Sequence, residues 1–261
     1  MQEVIKVDQL SKSYGSLAAV DHISLSVKRG TAFGLIGANG AGKSTTIECI
    51  LGTKNADKGK VAILGKDPAE DRKHLFERIG VQFQESNYQD QIKVGELCEV
   101  TASLYQRAAN PSVLLERFGL ADKKKSLVKE LSGGQRQRLF IVLALIPSPE
   151  VVFLDELSNG LDAKARREIW KILSDLKGEG LTIFLTSHFM DEVETLCDCI
   201  CILKKGKIVY YGTVSEAVEK SPYDKFEDAY LWYTDEEEQD YEDVYKRQPA
   251  RFIKERNIYG E

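Results

Sequence analysis

The stretch GANGAGKST, residues 37–45, holds the residue types that wrap an anion. Gly37, Gly40 and Gly42 precede Lys43 and Ser44 in the spacing GxxGxGKS. Glycines let a backbone curl without Cβ clashes, and its N–H groups then converge at the positive end of a helix. In this pattern the lysine reaches the β- and γ-phosphates of a nucleotide, and the hydroxyl after it is a magnesium ligand. Gly37, Asn39, Gly40, Ala41, Gly42, Lys43, Ser44 and Thr45 are therefore expected to hold phosphates, with Ser44 also on the metal.

VVFLDE, residues 151–156, supplies the acids that such a site needs. Four apolar residues lead to Asp155 at a strand end, where a carboxylate holds magnesium through water. Glu156 follows, placed to orient or deprotonate the water that attacks the γ-phosphate. His188 closes LTIFLTSH, and a parallel strand delivers it to the same crevice, where a neutral imidazole contacts the γ-phosphate. Gln84 closes IGVQFQ, in reach of magnesium or the attacking water and at a natural hinge. Tyr14 either stacks on adenine or belongs to the core. His22 and His74 have no such setting and are read as surface or packing residues.

A second glycine turn, LSGGQRQRLF at 131–140, raises a different question. Ser132, Gly133 and Gly134 at a helix start expose another group of N–H donors. Lys43 already serves one γ-phosphate, so these donors are redundant unless they address another nucleotide. A two-fold dimer meets that condition, each chain offering its SGG turn to the ATP held by its partner. On chemistry alone, a glycine-started helix that binds nothing stays open.

The elements around these residues read as an α/β chain. EVIKVDQLSKSY and AVDHISLSV alternate as strands, TAFGLIG is a buried strand, and TTIECILG is helical. KGKVAILGKD and IGVQFQ are further strands, with DPAEDRKHLFERI between them as a helix. From about residue 90 to 146 the β pattern gives way to helices: VGELCEVTASLYQRA, PSVLLERFG and GGQRQRLFIVLALI. VVFLDE and LTIFLTSH return to buried strands around the amphipathic helix DAKARREIWKILSDLKGEG. MDEVETLCD follows as a short helix, and CICILKKGKIVYYG gives two strands around KKG. The expected division is an ATP-binding core of residues 1–88 and 147–220, a helical subdomain of 89–146 and an extension of 221–261.

The bulk numbers narrow the class. The 261 residues are 43 % hydrophobic and 30 % charged, an ordinary soluble mix, and no apolar run nears the roughly 20 residues of a membrane span. MQEVIKVDQL lacks the pattern of a signal peptide, which leads to a cytoplasmic expectation. The net charge of −5 argues against a nucleic-acid partner. Five cysteines, an odd count without CxxC, argue against a disulfide framework or a zinc knuckle. Cys197, Cys199 and Cys201 alternate as small side chains on one strand face. DEEEQDYED, residues 235–243, carries seven acids and reads as a solvated run, with Trp232 and Tyr233 before it placed to dock its start on the body.

Together GANGAGKST, VQFQE, LSGGQRQR, VVFLDE, SNGLD and LTSH resemble, in kind and order, the ATP-binding subunits of ABC transporters, over about residues 3 to 220. LSGGQ is the signature of that family and much more specific than the phosphate loop. The resemblance implies a P-loop NTPase core with a RecA-like mixed, largely parallel sheet, an N-terminal antiparallel β portion and an inserted helical subdomain. It implies that Ser132, Gly133, Gly134 and Gln135 clasp ATP in trans, and that Asp162 in SNGLD couples the two sites. Glu156 is then the catalytic base, His188 the γ-phosphate sensor, Gln84 the coupling residue and magnesium ligand, and Tyr14 the adenine-stacking aromatic. ATP, Mg2+, a second ATP-binding subunit and an integral membrane permease subunit are the implied cofactors and partners. The wording FGLIGANGAGKSTTIECILG and KFEDAYLWYT is similar to bacterial ABC-2-type and multidrug exporters. Leu157 and Ala38 stand where that family usually has prolines, which touches loop stiffness and no catalytic group. Two alternatives remain at this point: a soluble ABC-type ATPase acting on nucleic acid or ribosomes, and an ATP-dependent regulatory dimerisation module. The 87 residues between Lys43 and Leu131 leave no room for the long arms of DNA-repair members, and the single set of motifs departs from ribosome-acting ones.

Overall fold

Period-two alternation builds the sheet that carries the motifs. The computed structural model describes residues 2–83, 91–158 and 160–235. β1 (Glu3–Tyr14), β2 (Leu17–Lys28) and, after β3 (Ala32–Ile36) and α1 (Lys43–Ile50), β4 (Lys58–Ile63) form an antiparallel sheet in the order β2-β1-β4. The larger sheet joins β3 with β5 (Ile79–Gln82), β6 (Val151–Leu154), β7 (Thr182–Ser187), β8 (Cys199–Lys204) and β9 (Lys207–Gly212). Its order is β5-β6-β7-β3-β8-β9, parallel throughout except for the antiparallel hairpin β8–β9. This is a P-loop NTPase fold with a mixed, RecA-like sheet and an N-terminal antiparallel β region.

Both faces of the parallel strands are buried, as such strands require. Val151, Phe153 and Phe184 turn toward the antiparallel sheet and pack with Phe33 and Leu35. Val152, Leu154, Ile183 and Leu185 turn the other way, into the helices. The short helix α2 (Arg72–Phe76) covers only part of the segment that reads as helical in sequence. α3 (Val94–Ser103), α4 (Pro111–Arg117) and α5 (Gly133–Leu145) form the helical region. α3 stops before the LYQRA that its pattern suggested. Leu139 to Leu145 of α5 belong to the same apolar cluster as Leu115, Phe118, Val152 and Leu185, so α5 is the beam between the helical region and the sheet. Its approach is close: a Cβ on Gly80 of β5 would lie 1.9 Å from the Ala144 carbonyl oxygen.

α6 (Ala163–Gly178) buries Ala165, Ile169, Trp170 and Leu173 along one stripe. α7 (Met190–Leu196) follows β7. Cys197 departs from the strand pattern: it terminates α7, and only Cys199 and Cys201 enter β8, with Cys201 buried beside Leu203. A tight helix-to-strand turn thus consumes the first member of the CxCxC alternation. α8 (Val214–Glu219) and α9 (Phe226–Thr234) close over β8 and β9. Tyr233 stacks at 4.9 Å on Tyr210 and donates to the Ala217 carbonyl at 3.2 Å. Of the acidic run only Asp235 lies among the described residues. Among those residues no helix is long and apolar enough to cross a membrane.

The Gly80 contact has a measurable consequence. Gly80→Ala forces the α5 backbone off β5, an overpacking that costs about 1–3 kcal/mol, read as a lower urea midpoint with an unchanged slope.

Candidate active site

The parallel register gathers the reactive residues at one edge. Ile36 pairs with Ser187, and Leu154 pairs with Leu185, so β3, β6 and β7 end close together. Beyond those ends come the phosphate loop, Asp155–Glu156 and His188. The carboxyl ends of parallel strands are where ligands bind in such sheets.

A cleft of about 620 Å³ opens there, lined by Tyr14, Leu17, Ala19, Asn39, Gly40, Gly42, Lys43, Ser44, Thr45, Glu156 and His188. Of the residues expected to hold nucleotide or do chemistry, it brings together nine. Gly37 and Ala41 belong to the loop but do not line the cleft, and a Cβ on Gly37 would lie 2.6 Å from the Leu203 carbonyl oxygen. Lys43 is 5 % exposed, and its Nζ donates to the Gly37 carbonyl at 2.9 Å and to the Ala38 carbonyl at 3.2 Å. Ala41 accepts from the Gly206 N–H at 3.0 Å, fixing the loop to the β8–β9 turn. Gly42, at φ +105°, caps α1 with no side-chain bond; a Cβ there would meet the Ala19 carbonyl at 2.2 Å. Only glycine allows both that dihedral and that approach. The α1 N–H groups, the ammonium and the hydroxyls of Ser44 and Thr45 make a donor set that fits a polyphosphate.

Burial lowers the Lys43 pKa, against the raising pull of the Glu156 and Asp155 carboxylates. Burial raises that of Asp155, opposed by the Thr186 hydroxyl and by Lys43. Asp155 lies 7 % exposed, one residue past the β6 register, level with Thr186. The Thr186 hydroxyl donates to Asp155 Oδ1 and accepts the Glu156 N–H at 2.9 Å. Glu156 adopts φ +51°, a left-handed conformation uncommon for this residue type. Its Oε1 lies 4.0 Å from His188 Nδ1, and the His188 ring rests at 4.2 Å on that of Phe189. Tyr14 is 44 % exposed at the rim, with the ammonium groups of Lys54 and Lys12 at 5.4 and 5.7 Å from its ring centre.

Ser132, Gly133, Gly134, Gln135 and Asp162 form no part of the cleft wall. The Ser132 hydroxyl accepts the Gln135 N–H at 3.3 Å, and Gln135 Oε1 accepts the Ser132 N–H at 3.0 Å. The helix that opens on two glycines therefore has a reciprocal cap after all, and it occupies the Gln135 side chain. Gly133 and Gly134 sit beside Gly160 and Leu161, and Asp162 caps α6 through the Ala165 N–H at 2.8 Å. The signature turn and the SNGLD segment are thus neighbours within one chain. Gln84 lies outside the described residues.

Two supporting residues escaped the sequence reading. Thr186 is one. Gln82 is the other: its Nε2 donates to the carbonyls of Phe83 and Asp155, at 2.8 and 3.2 Å, and bridges the ends of β5 and β6. The signal was present, since each is a polar residue inside a strand buried on both faces, where it must find partners.

A nucleotide-phosphate loop under a carboxylate pair and a strand-end histidine defines a P-loop ATPase. The family model for ABC transporters matches residues 20–159. The Nod factor export ATP-binding protein I of Burkholderia orbicola (strain AU 1054) is 36 % identical over 215 residues, 80 % of this chain and 71 % of that protein. A solved ATP-binding subunit of an ABC transporter superposes with a TM-score of 0.79 at 25 % identity, over 88 % of this chain and 99 % of the other. The dimeric structure of a bacterial ABC transporter cassette, MJ0796, superposes with a TM-score of 0.72 at 25 % identity, over 80 % of this chain and 98 % of the other. The chain belongs to the ABC transporter family, as an ATP-binding subunit with ABC-type ATPase activity.

Thr186→Val tests the bridge between the two acids. It removes the hydroxyl that accepts the Glu156 N–H and donates to Asp155, and should cost about 1–3 kcal/mol of stability, measured by urea unfolding.

Proposed function

We propose that this chain is the energy-coupling subunit of an exporter, working as a sandwich of two ATP-binding subunits. The carrying observation is a separation. Lys43, Ser44, Glu156 and His188 share one cleft, whereas Ser132, Gly133 and Gly134 of the same chain do not line it. Each SGG turn would complete the cleft of the partner, and Asp162 beside it would link the two sites. The dimeric MJ0796 cassette supports this reading, and the Nod factor export protein supports the direction of transport.

In this reading the phosphate-loop amides and Lys43 bind the β- and γ-phosphates, and Tyr14 offers its face to adenine. Glu156 orients and deprotonates the attacking water, and His188 contacts the γ-phosphate. Gln84 links the site to the helical region, residues 89–146. Ser44, Asp155 and Gln84 would hold Mg2+, which when bound would neutralise charge developing on the phosphates. Among the described residues no three His, Cys, Asp or Glu side chains form a metal cage. A hard cation with few protein ligands and phosphate oxygens fits that donor set. An integral membrane permease subunit would receive the motion and hold the chain at the inner face of the membrane.

Glu156→Gln should abolish turnover while ATP binding and the ATP-bound dimer persist, read by phosphate release and light scattering. Mixing decides the trans arrangement. Lys43→Ala and Gly134→Asp chains should each be inactive alone. Mixed one to one, they should recover about a quarter of the parent rate, because half the dimers then hold one intact site of two. No recovery would mean that each chain completes its own site.

A further inference from the structure

A buried polar knot lies behind the reactive groups. Glu192 of α7 is fully buried, at 0 % exposure, and Ser158 is 1 % exposed. Glu192 Oε1 accepts from the Ser158 hydroxyl and from Trp170 Nε1–H at 2.9 Å, and Trp170 Nε1 lies 3.2 Å from Ser158 Oγ. Glu192 Oε2 has no hydrogen-bond partner among the described residues. The nearby Ser187 hydroxyl is engaged with the Phe189 backbone, accepting its N–H at 2.9 Å.

The knot joins three pieces of chain that serve the site. Ser158 lies two residues after Glu156, on the path to Asp162. Glu192 lies four residues after His188. Trp170 is the middle of α6, the helix that Asp162 caps. Arg166, also of α6, stacks at 4.8 Å on Phe189, next to His188, and lies 3.8 Å from Asp191.

A carboxyl in such a place costs stability that an apolar residue of like volume would not. Burial raises its pKa, toward the neutral form, against the lowering pull of Ser158, Ser187 and Trp170. A carboxyl held in this way is a hydrogen-bonding strut between Ser158 and Trp170, and its value lies in the geometry that it holds.

We infer that Glu192 is a positioning residue for ATP hydrolysis: through Ser158 it locks the segment carrying Glu156 and Asp162 to the strand-to-helix corner carrying His188, so that the base and the phosphate sensor keep one spacing. This rests on the roles given above to Glu156 and His188.

The test is steady-state hydrolysis of MgATP by the full chain, with nucleotide affinity measured by equilibrium dialysis. Glu192→Leu and Ser158→Ala should each lower kcat about tenfold while affinity stays within about twofold. The double variant should be no slower than the worse single one, since both remove the same tie. Glu192→Gln keeps an acceptor for both donors and should stay within about threefold of the parent. The inference is overturned by Glu192→Leu turning over at the parent rate, by multiplying effects in the double variant, or by Glu192→Gln failing as badly as Glu192→Leu. Should Glu192→Leu not fold, Ser158→Ala and Glu192→Gln decide: a parent kcat in Ser158→Ala overturns the inference. Glu156→Gln is the separate control, and parent-like turnover there would sink the base assignment and not the knot.

Discussion

Everything at this site depends on parallel pairing in register. β6, β7 and β3 run side by side in one direction, so their carboxyl ends share an edge. Each strand there delivers a different chemical group: an acid pair, a histidine and a phosphate loop. One residue of slip in β6 would exchange its buried faces, turning Val152 and Leu154 away from the helices. The same slip would carry Asp155 away from Thr186. Core packing and site geometry are thus set by one choice of register.

That register explains the unusual backbone at Glu156. The left-handed conformation would not persist alone, because it costs about 1–3 kcal/mol in such cases. Here the Thr186 hydroxyl holds the Glu156 amide and the Asp155 carboxylate together. A similar economy governs the phosphate loop. Gly42 is packed against the Ala19 carbonyl of the antiparallel sheet, and Ala41 is tied to the Gly206 turn. The small sheet therefore does more than carry Tyr14: through Ala19 it packs on the loop, while the β8–β9 turn of the larger sheet holds Ala41.

The signature helix is wired to the same centre from the other side. Gln137 of α5 donates to the Leu157 carbonyl at 2.9 Å, and Arg138 pairs with Glu168 of α6 at 2.6 Å. These bonds tie α5 to the residue after Glu156 and to α6. Leu157, at the place where the family usually has proline, is fully buried in the apolar cluster that includes α5.

Much of this was legible in the residues themselves. GANGAGKST between a strand and a helix determined a phosphate loop, because glycine and lysine at that spacing have one well-matched use. VVFLDE and LTIFLTSH determined buried strands with acids and a histidine at their ends, because doubly buried strands are apolar until they leave the sheet. The tertiary structure alone decided which partners those ends meet. No pattern places Thr186 between Asp155 and Glu156, or Gln82 between two strand ends, because cross-strand register is not a local property. The reciprocal cap of Ser132 and Gln135 went unread in LSGGQ, although its serine and glutamine stand at capping-box spacing, and no pattern foretold the contact of that turn with Gly160. The knot of Ser158, Trp170 and Glu192 joins residues up to 34 positions apart, and only folding brings such groups within a hydrogen bond of one another.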